Sequence, residues 1–294
     1  MKDLGELKFF LGIEFARSRE GIIMNQRKYA LELIADLGLG GAKPANAPLE
    51  HNQNLTSSNY DIFINTQSTD KDNADREHLI PNTTQYQRLV GRLLYVTMTR
   101  ADIAFDIQVL SQFMHKPKQS HMEAALRVVR YIKNAPGLGL LMPSESSRKL
   151  KAYCDLDWRG CLKTRKSVTG YLVKFGNALV SWKSKNQDTV PRSSAEAEFR
   201  SMASVVAELT WLIGLYKELR VEVEVPMDLY YDSKAAIQIV VNPIFHEHTK
   251  HIDIDCHFVR EKIIQGLVKT YYVYTKEQQT DLLTKSLGKP QHDY

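Results

Sequence analysis

The chain has 294 residues, enough for one large or two ordinary domains. Hydrophobic residues make up 43% and charged residues 25%, the balance of a soluble globular protein, and no apolar run is long enough to span a bilayer. The formal net charge of +5 permits a polyanionic partner without demanding one. Met1-Lys2-Asp3-Leu4-Gly5 lacks the apolar core of a signal peptide. Cys154, Cys161 and Cys256 lack C-x-x-C spacing, which argues for reduced thiols in an intracellular setting rather than a disulfide framework or a zinc knuckle.

In chain order, Leu7 to Phe15 reads as a strand and Gly21 to Met24 as its hairpin partner. Gln26 to Leu37 carries apolar residues near helical spacing and stops at Gly38. From His51 to Gln85 the chain is dominated by Asn, Thr, Ser, Asp and Gln and reads as a partly disordered linker. Three helices are predicted next, over Tyr86–Met98, Ala101–Met114 and His121–Asn134. Their apolar stripes need partners, which predicts a small helical subdomain. Arg88, Arg92, Arg127, Arg130 and Lys133 fall on the outer faces; most such patterns are solvated surface, and the sharper reading is a phosphate-facing surface.

Ser144-Glu145-Ser146-Ser147 marks a boundary. Beyond it, Leu150–Asp155, Ser167–Phe175 and Ala178–Lys183 read as an antiparallel meander with Gly176-Asn177 at one turn. A long helix follows over Ser193–Leu219, then a strand (Asp228–Asp232), helices (Ala235–Val240 and Ile252–Gln265), a strand (Leu267–Tyr274) and a last helix from Asp281. Early antiparallel and late parallel pairing together predict a mixed sheet with helices on its faces.

The acids of this second half stand out. Asp is a poor strand former, and a buried carboxylate is costly unless paired or metal-bound. Asp155 nevertheless continues the Lys151, Tyr153 face of its strand, and Asp232 ends another. If those strands are parallel neighbours, the two carboxylates come within reach of one divalent ion. The competing reading is that Asp232 caps the following helix with Ser233. At the long helix, Ser193-x-x-Glu196 has capping-box spacing, so Glu196 is explained by its own helix terminus. Glu198 is not, and is the better ligand candidate; Asp157, beside Trp158 where the strand ends, is secondary. His246, His248, His251, Cys256 and His257 match no strong zinc spacing. Contact with solvent or phosphate suits them better, with His251 the first candidate for proton transfer or product release.

Tyr153-Cys154-Asp155-Leu156-Asp157-Trp158, Val168-Thr169-Gly170-Tyr171, Ser181-Trp182-Lys183-Ser184-Lys185-Asn186-Gln187, Ser193-Ser194-Ala195-Glu196-Ala197-Glu198-Phe199, Asp232-Ser233-Lys234-Ala235-Ala236 and Thr249-Lys250-His251-Ile252-Asp253 resemble the ribonuclease H domain of Ty1/copia-type retrotransposon polyproteins. Upstream, Phe9-Phe10-Leu11-Gly12-Ile13-Glu14, Tyr86-Gln87-Arg88-Leu89-Val90-Gly91-Arg92 and Thr99-Arg100-Ala101-Asp102-Ile103 resemble the end of the same polyprotein's reverse transcriptase. The resemblance implies an α/β, ribonuclease H-like five-stranded mixed sheet with helices, preceded by a small, mostly helical reverse-transcriptase thumb or connection remnant. Its domains would be the end of the palm and start of the thumb (1–50), a polar insert (51–85), a helical connection (86–147) and a ribonuclease H-like domain (148–294).

The resemblance also implies a site. Asp155, Glu198, Asp232 and Asp281 would hold two Mg²⁺ ions, with Mn²⁺ as a substitute, for hydrolysis of the RNA strand of an RNA–DNA hybrid. One ion would activate the attacking water and the other stabilise the leaving 3′ oxygen. Lys183, Lys185, Arg165 and Lys166 would contact the backbone, with His251 alongside. The polymerase motif Tyr-x-Asp-Asp is absent between Met1 and Lys149, so no DNA synthesis is expected. The alternative is a catalytically inactive retroelement remnant that at most binds nucleic acid.

Overall fold

The computed structural model of the chain describes residues 5–50, 55–61, 79–144, 147–158, 160, 164–241 and 253–286. Its strands are β1 (Phe9–Phe10), β2 (Ile13–Arg17), β3 (Gly21–Asn25), β4 (Gly139–Pro143), β5 (Lys149–Asp157), β6 (Val168–Phe175), β7 (Ala178–Asn186), β8 (Glu224–Tyr231) and β9 (Val268–Tyr272). The α-helices are α1 (Arg27–Asp36), α2 (Thr83–Val96), α3 (Ala104–Ser111), α4 (Gln119–Ile132), α5 (Ser194–Glu218), α6 (Lys234–Val241) and α7 (Asp253–Ile264). Strands β1 to β4 form a sheet in sequence order, and the other five form a sheet in the order β7-β6-β5-β8-β9. Two compact units result, one built mainly from residues 22–140 and the other mainly from residues 141–285.

In the first unit, α1 to α4 close on a core that includes Leu33, Val90, Leu93, Ile107, Leu110 and Val128. The expected single strand over Leu7–Phe15 is broken, because Leu11 and Gly12 take φ of 46° and 73° and turn β1 back onto β2. Helix α2 starts three residues earlier than its apolar stripe suggests, since the Asn82 side chain caps it by accepting from the Thr84 amide at 3.1 Å. Part of the polar stretch is ordered by α4: Lys118 reaches Asp61 at 2.8 Å, and a His121 ring nitrogen lies 3.0 Å from the Thr56 carbonyl. The basic outer faces are partly spoken for. Arg92 pairs with Asp36 and Arg127 with Glu50, each at 2.8 Å, and Lys133 donates to the carbonyls of Gly40 and Ala42 at 2.6 and 2.7 Å.

In the second unit, β5 pairs antiparallel with β6, and β6 with β7; β5 pairs parallel with β8, and β8 with β9. This is the ribonuclease H-like five-stranded mixed sheet. Its packing follows strand alternation. Leu150, Ala152 and Cys154 share a core with Phe199, Met202, Val205, Val206 and Leu209 of α5, and the Cys154 sulfur lies 2.9 Å from the Ser201 hydroxyl. The intervening residues of β5, Tyr153 and Asp155 among them, take the other face. Tyr153, Tyr230 and Tyr271 stack in a cross-strand row at centroid distances of 4.7 and 5.4 Å.

The last expected helix is not formed within the described residues. Asp281–Leu283 is a single 3₁₀ turn, in which Leu283 bonds back to Thr280 and Thr284 to Asp281. Turning the chain there carries Thr284 and Lys285 onto the sheet rather than along a helix axis.

Candidate active site

Register places the first two acids. Tyr153 lies beside Tyr230 and Cys154 beside Tyr231 on parallel strands, so the next residues, Asp155 and Asp232, leave β5 and β8 at neighbouring positions. Asp155 is only 3% exposed. Its Oδ2 accepts the Thr284 hydroxyl and lies 3.4 Å from the Lys285 ammonium, which is also 3.0 Å from Oδ1 of Asp281. Opposite Asp155 on β6 is Gly170, where an added Cβ would come within 2.6 Å of Thr284 Cγ2 and 2.9 Å of Leu283 Cβ. The missing side chain is what lets the 3₁₀ turn seat Thr284 against Asp155.

The cap question at Asp232 resolves in favour of its neighbour. Ser233 Oγ accepts from the Ala236 amide at 3.3 Å at the start of α6, and it also donates to Oε2 of Glu198 at 3.0 Å. Asp232 meets only the Thr275 hydroxyl, at 3.5 Å. Glu196 is held by its own helix start: the Ser193 hydroxyl accepts from the Glu196 amide at 3.1 Å, and Glu196 Oε2 accepts from the Arg192 amide at 2.7 Å. Its other oxygen pairs with Arg200 at 2.5 Å. Two glutamates two residues apart thus face different partners. Asp157 lies inside β5 rather than at its end, paired in register with Val168.

The electrostatics tie the four acids together. Burial raises the carboxyls of Asp232, Asp281 and Glu198 above their ordinary values. The charge of Asp155 adds to the rise at Asp232 and Asp281, and that of Asp232 adds to it at Glu198. Ser233 opposes the shift at Glu198, and Lys285 opposes it at Asp281 and Asp232. Asp157 is raised by burial as well, and it feels both Lys285 and Asp155. Burial works against the charge of Lys285, but Asp155 and Asp281 outweigh it and raise its pKa.

The donor set is all carboxylate oxygen, the chemistry a hard divalent cation takes. Among the described residues, however, no three His, Cys, Asp or Glu side chains stand close enough to hold a metal ion. The cation among these acids is Lys285, so a divalent ion would require it to withdraw and the carboxylates to rotate inward. Lys285, Thr284 and Ser233 were not legible as site residues; the only signal was their position beside Asp281 and Asp232.

The other expected contacts are elsewhere. Lys183 and Lys185 are exposed on β7, with Lys185 3.1 Å from Asp188. Arg165, exposed with φ of 55°, and Lys166, half-exposed, precede β6. His251, with His246 and His248, lies outside the described residues; Cys256 is buried near Arg260. No described helix is long and apolar enough to cross a membrane.

No family model matches the chain. It is 37% identical over 289 residues to the retrovirus-related Pol polyprotein from transposon RE1 of Arabidopsis thaliana, an alignment covering 98% of this chain and 19% of that one. The chain therefore spans about a fifth of the length of this curated relative. An uncharacterised mitochondrial protein of the same plant, AtMg00810, is 35% identical over 72% of this chain and 80% of its own length. A solved structure of the foamy viral protease-reverse transcriptase in complex with RNA/DNA hybrid aligns with 74% of this chain and 27% of that one, at 12% identity and a TM-score of 0.35, too loose a likeness to carry an argument. With alignments spanning nearly its whole length, the chain belongs to the family of Ty1/copia-type retrotransposon Pol sequences.

Proposed function

We propose that the second unit is a ribonuclease H that hydrolyses the RNA strand of an RNA–DNA hybrid. The observation that carries this reading is the gathering of Asp155, Glu198, Asp232 and Asp281, from four separate segments, into one electrostatically linked group at the ends of β5 and β8. Four acids that raise one another's pKa cost stability, and a cation shared among them offsets that cost.

In this reading the four carboxylates hold two Mg²⁺ or Mn²⁺ ions. When bound, the ions supply an activated water and charge stabilisation for the leaving 3′ oxygen. Ser233 orients Glu198, and Thr284 orients Asp155, each by a hydrogen bond to the carboxylate. Lys285 holds the acids together when no divalent ion is present and gives way when one enters. Lys183, Lys185, Arg165 and Lys166 supply positive charge for the phosphate backbone, while duplex shape and the 2′-hydroxyls select the hybrid. Polymerisation is not part of the proposal, because the chain has no Tyr-x-Asp-Asp motif.

A second reading, an inactive relative that only binds nucleic acid, is favoured by the Lys285 ammonium standing between Asp155 and Asp281. A labelled RNA–DNA hybrid incubated with Mg²⁺ separates the two. Cleavage by the native chain and none by Asp155→Asn supports the hydrolase. Equal, salt-dependent hybrid binding by both proteins, with no cleavage by either, supports the inactive relative.

A further inference from the structure

A groove of about 500 Å³ opens between β7, α5 and the first turn of α7, and none of the four acids lines it. That volume lies in the range of small-molecule sites and far exceeds the room taken by one or two waters. Two neighbouring side-chain oxygens in its wall, Oδ1 of Asn186 and Oε1 of Gln187, are buried and accept no hydrogen bond. Gln187 is only 9% exposed. Its amide cannot be turned to remove the problem: Nε2 donates to the Ala197 carbonyl at 2.9 Å, and that partner accepts only from a donor. A buried acceptor without a donor costs free energy, and two in one wall call for a ligand that donates twice.

The rest of the lining restricts that ligand. Lys183 and Lys185 stand on the β7 side, and Arg200 lines the α5 side. The acids present are already offset, Asp188 by Lys185 at 3.1 Å and Asp255 by the nearby charge of Arg200. Ala203 and Phe258 supply apolar surface on which a flat ring can lie. The ligand is therefore anionic at one end, rich in hydroxyl donors in the middle, and flat and apolar at the other end.

We propose that this groove binds a ribonucleoside monophosphate unit, free or at the end of an RNA strand. Its sugar hydroxyls donate to Asn186 Oδ1 and Gln187 Oε1, its phosphate meets Lys183, and its base rests on Phe258. The site is independent of the carboxylate group and needs no divalent ion.

The test uses the full ¹⁵N-labelled chain in EDTA, so that hydrolysis is silent. AMP, 2′,3′-dideoxyadenosine monophosphate and a short oligoadenylate are titrated separately while the amides of Thr169, Gln187 and Ser204 are followed. Saturable shifts with AMP support a free nucleotide; shifts only with the oligoadenylate support a strand end. In either case the dideoxy analogue binds at least about fivefold more weakly, as does AMP or the oligomer to the surface variant Lys183→Ala. Gln187→Leu is the stronger variant; if it does not fold, Asn186→Ala and Lys183→Ala still decide. Absence of saturable shifts with either adenylate, or equal binding of the dideoxy analogue, means that water alone fills the groove and overturns the proposal. Cleavage of hybrid by the same preparation with Mg²⁺ is scored separately, so loss of one activity does not disguise loss of the other.

Discussion

The Lys285 ammonium lies 3.4 Å from Oδ2 of Asp155, a carboxylate buried in the sheet, and so supplies the compensating charge that burial demands. Removing it leaves Asp155 and Asp281 facing each other without a cation. Lys285→Met is expected to lower stability at neutral pH by about 1–3 kcal/mol, read by urea denaturation in EDTA. Millimolar Mg²⁺ should restore more stability to this variant than to the native chain. A variant as stable as the native chain in EDTA would show that Thr284 alone satisfies Asp155.

The raised carboxyls give a pH dependence with a definite sign. An acid whose folded-state pKa lies above its unfolded value binds more protons in the folded chain, so stability falls as pH rises through that interval. For Asp232, Asp281 and Glu198 the interval opens at the ordinary carboxylate range of about 4 and extends upward. Asp232→Asn removes one such group. Its melting temperature in EDTA should exceed that of the native chain at neutral pH, and the gap should close as pH approaches about 4. A gap that does not change with pH would place the effect outside ionisation.

Glu196 and Glu198 separate stability from chemistry. Glu196→Gln weakens its pairing with Arg200 and its contact with the Arg192 amide, and should cost about 1–2 kcal/mol while leaving hybrid cleavage within a few-fold of native. Glu198→Gln should keep the fold and lose cleavage to the level of Asp155→Asn. Thermal melts and single-turnover cleavage on the same samples read both effects, and the reverse pattern would exchange the roles of the two residues.

Gly170 tests how the last turn is seated. Gly170→Ala places a Cβ where Thr284 and Leu283 already sit, an overpacking worth about 1–3 kcal/mol. Displacement of Thr284 should also lower cleavage more than Thr284→Ser does, since serine keeps the hydroxyl that meets Asp155. Equal cleavage by Gly170→Ala and the native chain would mean that Thr284 does not position Asp155.

Much of this was legible in the chain itself. Strand alternation, the Gly176-Asn177 turn and the long stripe of α5 announce a meander followed by a helix, because each is a local pattern of burial or turn chemistry. Capping-box spacing separated Glu196 from Glu198 for the same reason: a helix start is a local event. The break at Leu11-Gly12 and strand β4 were not legible, since one rests on left-handed backbone and the other on a partner strand distant in sequence.

What the sequence determined by itself is the set of acids and the order of elements that carries them. Tertiary structure decided how they meet. The parallel register of β5 and β8 sets Asp155 beside Asp232, and the gap over Gly170 admits the turn that carries Asp281, Thr284 and Lys285. It also put a lysine among the carboxylates and left two amide oxygens without donors in a groove none of those acids lines. Those facts depend on contacts across more than a hundred residues of sequence in the first case, Asp155 to Lys285, and on packing between a strand and two helices in the second. No periodicity or spacing along the chain encodes either one.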